Sequence, residues 1–211
     1  MIENELVTGL VAFIIGYLFG SIPSAYIFTR WVADKDIRKL GGGNVGGLNT
    51  LREVGALPAA AVTLIDIGKG IATVAFTHWG LALDPLYVFL AAGAVVVGHN
   101  WMAWLRFSGG KGMGATLGAL LLLMPLYDYL AGLWVLLGVI ALPLAVTRNV
   151  ALSMGIGLVV LPFIAWLMGT HSGLFVVWAV LVGLIIAAKF APTALRAAAQ
   201  STGIRDFVRG H

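Results

Sequence analysis

Two short stretches gather the groups able to do chemistry in this chain. Arg38-Lys-Leu-Gly-Gly-Gly-Asn-Val-Gly-Gly-Leu-Asn-Thr-Leu-Arg52 places five glycines, two asparagines and three cations within fifteen residues. Gly109-Gly-Lys-Gly-Met-Gly114 repeats the theme with one lysine. Glycines let backbone N–H groups approach a ligand, and consecutive amides form an anion-binding nest. A helix opening from such a loop adds partial positive charge at its N-terminus. Arg38 and Arg52 are guanidiniums able to fork a phosphate, Lys111 is a compact point charge, and Asn44 and Asn49 add neutral donors and acceptors. The candidate phosphate contacts are therefore Arg38, Gly41, Gly43, Asn44, Gly46, Asn49, Arg52, Gly109, Gly110, Lys111 and Gly112. The competing reading makes both stretches ordinary glycine-rich turns with membrane-flanking cations. Gly109-Gly-Lys-Gly is not a nucleotide-binding P-loop, because it lacks the Gly-x4-Gly-Lys-Ser/Thr spacing.

Other reactive groups are sparse. Asp66 and Lys69 are three residues apart, hence neighbours on one helix face, and mutual neutralisation is their simplest role. His99 stands ten residues before Gly109, near the end of an apolar run. His78, His171 and His211 fall in expected loops or the tail, and Trp101 and Trp104 suit an interfacial belt. The absence of cysteine excludes disulfides and thiolate chemistry. No His/Asp/Glu spacing suggests a metal site, and no Ser-His-Asp constellation is present.

The elements that must position these groups are membrane helices. The 211 residues are 60% hydrophobic and 10% charged, with mean hydropathy +0.99, whereas soluble domains carry about 25% charged residues. A helix needs about 20 apolar residues to cross the hydrocarbon. Runs of that kind imply an all-α integral membrane protein, a single membrane domain over 1–211. Its seven transmembrane helices are expected near 6–30, 56–78, 85–105, 112–124, 127–147, 149–168 and 173–190. The fourth is short and stopped by Pro125, as if its preceding loop dipped below the membrane surface. The start, Met1-Ile-Glu-Asn-Glu, lacks a basic signal region, so the first span is expected to be retained.

Cation placement gives the orientation. Of the thirteen Lys and Arg residues, twelve fall in the loops after spans one, three and five or near the C-terminus, and Lys69 alone lies within a span. The positive-inside rule then puts the N-terminus outside, the C-terminus in the cytoplasm and both glycine stretches on the cytoplasmic face. The net charge of +4 is thereby explained without nucleic acid.

The ordered set Gly20-Ser-Ile-Pro-Ser-Ala-Tyr26, Arg38 to Gly55, Asp66-Ile-Gly-Lys-Gly70, Gly98-His99 and Phe107 to Gly118 resembles the bacterial acyl-phosphate:glycerol-3-phosphate acyltransferases of the PlsY type. The resemblance implies a seven-span enzyme of the bacterial inner membrane with its site facing the cytoplasm. Its substrates would be acyl phosphate and glycerol 3-phosphate, its product lysophosphatidic acid, and it would use no metal or organic cofactor. It implies that Asn44, Arg52, Lys111 and the loop glycines contact the two phosphates. Lys111, His99 and Asn44 are the candidates for catalytic roles, with Asp66 and Lys69 supporting the site. The chain departs from the family pattern at Gly42, Leu48, Met102, Ser108, Ala151, Lys189 and Pro192, several of which replace hydroxyl or amide donors. Two other readings stand beside the enzyme: a transporter or flippase for a small phosphorylated solute, and a paralogue with a changed acceptor or weak activity.

Overall fold

The computed structural model describes residues 2–168 and 173–200. His171, His211, Arg205, Arg209 and most of the expected Gly169–Gly173 turn lie outside the described residues. All regular elements among the described residues are helices, joined by turns and irregular segments, and the chain divides into two compact units, Met1–Leu123 and Met124–His211.

The expected first span is two helices. α1 (Ile2–Gly20) ends at Ser21, whose N–H still reaches the Tyr17 carbonyl at 2.9 Å, and α2 (Ser24–Ala33) restarts with the Ile27 N–H on Pro23 O at 3.0 Å. Pro23 supplies the break: it has no N–H, and its ring drives the preceding residue out of the helical region. α2 stops at Asp34, which is left-handed with φ 50°.

The polar segment that follows is more ordered than a loop. It contains a 3-10 turn at Ile37–Lys39 and the short helix α3 (Gly47–Glu53). α4 (Ala56–Ala75) continues into one π turn at Phe76–Gly80, which places His78 on a helical end rather than in a loop. α5 (Pro85–Asn100) begins with proline at its first position, where a missing N–H is harmless. It ends five residues before the expected boundary, and a 3-10 turn at Ala103–Leu105 follows.

α6 (Met113–Leu126) carries Pro125 inside its last turn instead of stopping before it. In the second unit, α7 (Leu130–Thr147) packs on α8 (Val150–Met168), and α8 packs on α9 (Gly173–Gln200). α9 runs ten residues beyond the expected end at 190, straight through Pro192.

Among the described residues, six stretches are long and apolar enough to cross a membrane: Asn4–Ala33, Ala56–Gly80, Pro85–Leu105, Leu130–Thr147, Val150–Met168 and Gly173–Thr193. Their outward faces carry large apolar side chains such as Leu57, Val146 and Trp166, all more than two-thirds exposed. Such faces suit a hydrocarbon solvent, in which lipid tails provide no hydrophobic drive between helices.

Helices in that solvent associate through close backbone approach, and small residues provide it. α1 lies on α5 so tightly that a Cβ at Gly16 or Gly20 would strike the Ala91 or Val95 carbonyl. A Cβ at Gly118 of α6 would strike the Ile67 carbonyl of α4. Each close approach uses glycines four apart, Gly16 with Gly20 and Gly114 with Gly118. These contacts fix α4, α5 and α6 around the polar groups described next.

Candidate active site at the paired glycine loops

The first glycine stretch is shaped by its own side chains. Asp36 caps the 3-10 turn by accepting from Arg38 N at 3.0 Å, then receives the Arg38 guanidinium, with Nε to Oδ1 at 3.0 Å and Nη2 to Oδ2 at 2.6 Å. That pairing holds the Asp36 carboxyl below the usual carboxylate range and pushes Arg38 up. Arg38 also lies 5.3 Å from the centre of the Tyr26 ring and points Nη1 at Leu105 O, 3.4 Å away. Its fork is thus engaged by a neighbouring carboxylate, and Arg38 braces the loop between α2 and the segment after α5. Asn49 is likewise turned inward: its Nδ2 donates to Asn44 O at 3.0 Å and Leu40 O at 3.1 Å. Beneath the loop, Ala25, Ile37, Val45, Val62, Met102 and Leu105 form a small apolar core.

The second stretch folds back onto α5. Gly110 N–H donates to the His99 carbonyl at 2.9 Å, and a Cβ at Gly109 would collide with the His99 and Asn100 carbonyls. The two stretches meet directly: Val45 N–H donates to Gly109 O at 3.3 Å, and a Cβ at Gly110 would lie 2.8 Å from Val45 O. Segments more than sixty residues apart in sequence therefore make one surface. Gly112, left-handed with φ 76°, turns the chain into α6, where its carbonyl accepts from Thr116 N and Oγ1.

Geometry thus divides the glycines. Gly41 (φ 51°) and Gly43 (φ 70°) need their backbone conformation. A Cβ on Gly41 would meet Asn49 Oδ1 and Glu53 Oε1 as well. Gly109 and Gly110 are small because backbone and imidazole lie against them. Gly46 differs: its φ of −164° is open to any residue, and a Cβ would meet only Asn44 Nδ2, at 3.1 Å. Left-handed geometry therefore does not fix Gly46, which is buried beside the Asn44 side chain.

Two cations remain at the shared surface. Arg52 stands exposed near the end of α3, and Lys111 is half-buried between Gly110 and Gly112. Burial first, and the charge of Arg52 second, push the Lys111 ammonium below the usual lysine range. Like charges gathered in this way favour an anion between them. Asn44, partly buried, lies beside Gly46 at the same surface.

A polar cluster lies under the loops. Asp66 Oδ1 is 3.0 Å from Lys69 Nζ and accepts from Ser24 Oγ at 2.7 Å; His99 Nδ1 lies 3.6 Å away. Lys69 also donates to Ile22 O at 3.4 Å, reaching the break between α1 and α2. The Asp66–Lys69 spacing was readable from sequence, but Ser24 was not, because its partner lies forty-two residues away.

An all-helical scaffold with six membrane-length helices among the described residues, with Lys111 in one of two joined glycine loops and Arg52 on the short helix beside them, defines a polytopic membrane protein. The family model described as "Glycerol-3-phosphate acyltransferase" matches residues 10–200, and the chain belongs to that family. It is 47% identical over 180 residues to "Glycerol-3-phosphate acyltransferase 1" of Dehalococcoides mccartyi, spanning 85% of this chain and 86% of that one. A "Glycerol-3-phosphate acyltransferase" of a Synechococcus species is 42% identical over 163 residues, or 76% and 77% of the two chains. The fold is similar to the crystal structure of PlsY (YgiH), an integral membrane glycerol 3-phosphate acyltransferase, in its glycerol 3-phosphate form. That likeness has a TM-score of 0.80 at 22% identity, covering 90% of this chain and 92% of the other. The lysophosphatidic acid form of the same enzyme gives a TM-score of 0.75 at 21% identity, covering 95% and 98%.

Proposed function

We propose that this chain is a multi-pass acyltransferase of the bacterial plasma membrane that moves a fatty acyl group from acyl phosphate to glycerol 3-phosphate, giving lysophosphatidic acid for phospholipid synthesis. The observation that carries this reading is the junction of the two glycine loops at Val45 and Gly109, which gathers Arg52 and Lys111 at one surface. A reaction between two phosphate-bearing substrates needs such a surface. Family membership and the likeness to a glycerol 3-phosphate acyltransferase fold support it.

The chemistry asks little more of the protein. The acyl carbon of acyl phosphate is already activated, so positioning and charge neutralisation suffice. The glycerol 3-phosphate 1-hydroxyl oxygen bonds to that carbon, the bond from carbon to phosphate oxygen breaks, and the hydroxyl proton passes to the released phosphate. Lys111 and Arg52 offset the charge on the phosphates, Asn44 and the backbone beside Gly46 orient them, and no cofactor is called for.

α6 completes a seventh span in this reading. Its fourteen residues reach about 21 Å against a hydrocarbon thickness of about 30 Å, so the Gly109–Gly112 loop lies within the membrane, lining the polar site. The cation distribution supports a site on the cytoplasmic face, with the N-terminus outside and the C-terminus in the cytoplasm. Purified protein given palmitoyl phosphate and glycerol 3-phosphate should produce lysophosphatidic acid, read by mass spectrometry. No acylated glycerol phosphate above a heat-inactivated control would refute the reading.

A further inference from the structure

Neutralising Asp66 requires only Lys69, one turn away on the same helix. The structure does more. The Asp66 side chain is 6% exposed within a membrane-length helix, and one of its oxygens also meets Ser24 of α2 and His99 of α5. α6 crosses directly over it, since a Cβ on Gly114 would lie 2.9 Å from Asp66 Cβ. His99 is held from its other side as well: a Cβ on Gly110 would land on Nε2, and the His99 carbonyl receives the Gly110 N–H at 2.9 Å. The imidazole is therefore clasped between a buried carboxylate and the loop that presents Lys111. At 3.6 Å the His99 Nδ1 to Asp66 Oδ1 separation is a close polar contact rather than a hydrogen bond.

We propose that Asp66 and His99 are a positioning pair for the anion site. Asp66 fixes the imidazole through Nδ1, and the ring and carbonyl of His99 set the height of Gly110, hence the placement of Lys111. Lys69 balances the charge of Asp66, and Ser24 fixes its rotamer. The role rests on the reading of the glycine loops as a phosphate site. It concerns groups that orient other groups, so neither residue need touch substrate. Groups of this kind hold a site to within a fraction of an ångström, and their loss lowers affinity or activity about 10- to 100-fold.

The decisive variant is the charge-balanced Asp66→Asn/Lys69→Gln, compared with wild type and with His99→Leu in purified, detergent-solubilised protein. Calorimetry with inorganic phosphate reads the anion site without relying on turnover. Size-exclusion elution and thermal midpoint report folding. The double variant should elute as wild type and bind phosphate about 10- to 100-fold more weakly, and His99→Leu should match it. Wild-type affinity in a folded double variant would mean that Asp66 only neutralises Lys69, and would overturn the positioning role alone. Failure of both variants to accumulate would make the cluster a folding device and overturn it too. Wild-type protein that binds no phosphate would sink the anion-site reading and the positioning role together.

Discussion

Replacing Lys111 by methionine keeps most of the buried stem and removes the charge, which isolates what the ammonium does. Lys111 is half-buried beside Arg52, with its pKa pushed down chiefly by burial and secondly by that guanidinium. A hydrogen bond to a charged group at such a site contributes about 1.5–3 kcal/mol, and each 1.36 kcal/mol is tenfold, so Lys111→Met should lower kcat/KM about 10- to 150-fold. Arg52→Met should fall in the same range, and Lys35→Ala, an exposed cation on the same polar segment, should stay within about twofold. The pH dependence gives a second handle. A bound phosphate favours the charged lysine, so affinity is full below the folded pKa of Lys111 and falls as pH rises through it. Stability moves the other way. The folded pKa lies below the unfolded value, so the cost of burying the charge is present at neutral pH and is relieved as pH rises through the folded pKa. Lys111→Arg should abolish the alkaline fall in affinity, because guanidinium stays charged. The assay is initial-rate lysophosphatidic acid formation from pH 6 to about 10, with calorimetry of phosphate binding alongside. Equal, small losses for Lys111→Met and Lys35→Ala, or an unchanged alkaline limb in Lys111→Arg, would refute the reasoning.

Arg38→Met should act on the fold more than on the reaction: its thermal midpoint should drop by a few degrees, with kcat/KM of the folded protein within about threefold, and Asp36→Ala/Arg38→Met should cost little beyond either single change because the two act as a unit. A large KM effect at unchanged midpoint would return Arg38 to the list of phosphate ligands. Gly46→Ala should fold normally and lose at least about tenfold in activity, since its Cβ meets only the Asn44 side chain, whereas Gly110→Ala should fail to accumulate because its Cβ would fall on His99; chromatography and turnover on the same preparations separate the two. Gly118→Val should prevent accumulation by wedging α6 off the Ile67 carbonyl, and Gly183→Ala, with nothing within 4 Å, should be neutral in membrane yield.

Sequence was most informative where the solvent dictates structure. Apolar runs and their flanking cations outlined the membrane helices, because a bilayer leaves few alternatives to long apolar helices. The break at Pro23 was hidden inside one uninterrupted apolar run, and only the helix restart on the Pro23 carbonyl reveals it. At the loops, the glycines that composition singles out are small for reasons composition does not carry. Gly109 and Gly110 are small because carbonyls and an imidazole press on them, a fact that depends on the approach of α5. The Arg38 partner was two residues away in the sequence, yet nothing local distinguishes a cation that braces a loop from one that awaits a ligand. Asp66 and Lys69 were visible as a helical pair; His99 joined them only once α4 and α5 were set side by side by their packing.

The Val45–Gly109 hydrogen bond has a consequence for how such a site is inherited. The two loops cannot drift separately: an insertion in one shifts the amide or carbonyl the other depends on. Exchange between relatives should succeed only as a matched pair. A chimaera carrying one foreign loop would meet a neighbour shaped for a different partner, however similar the two sequences look when aligned one segment at a time.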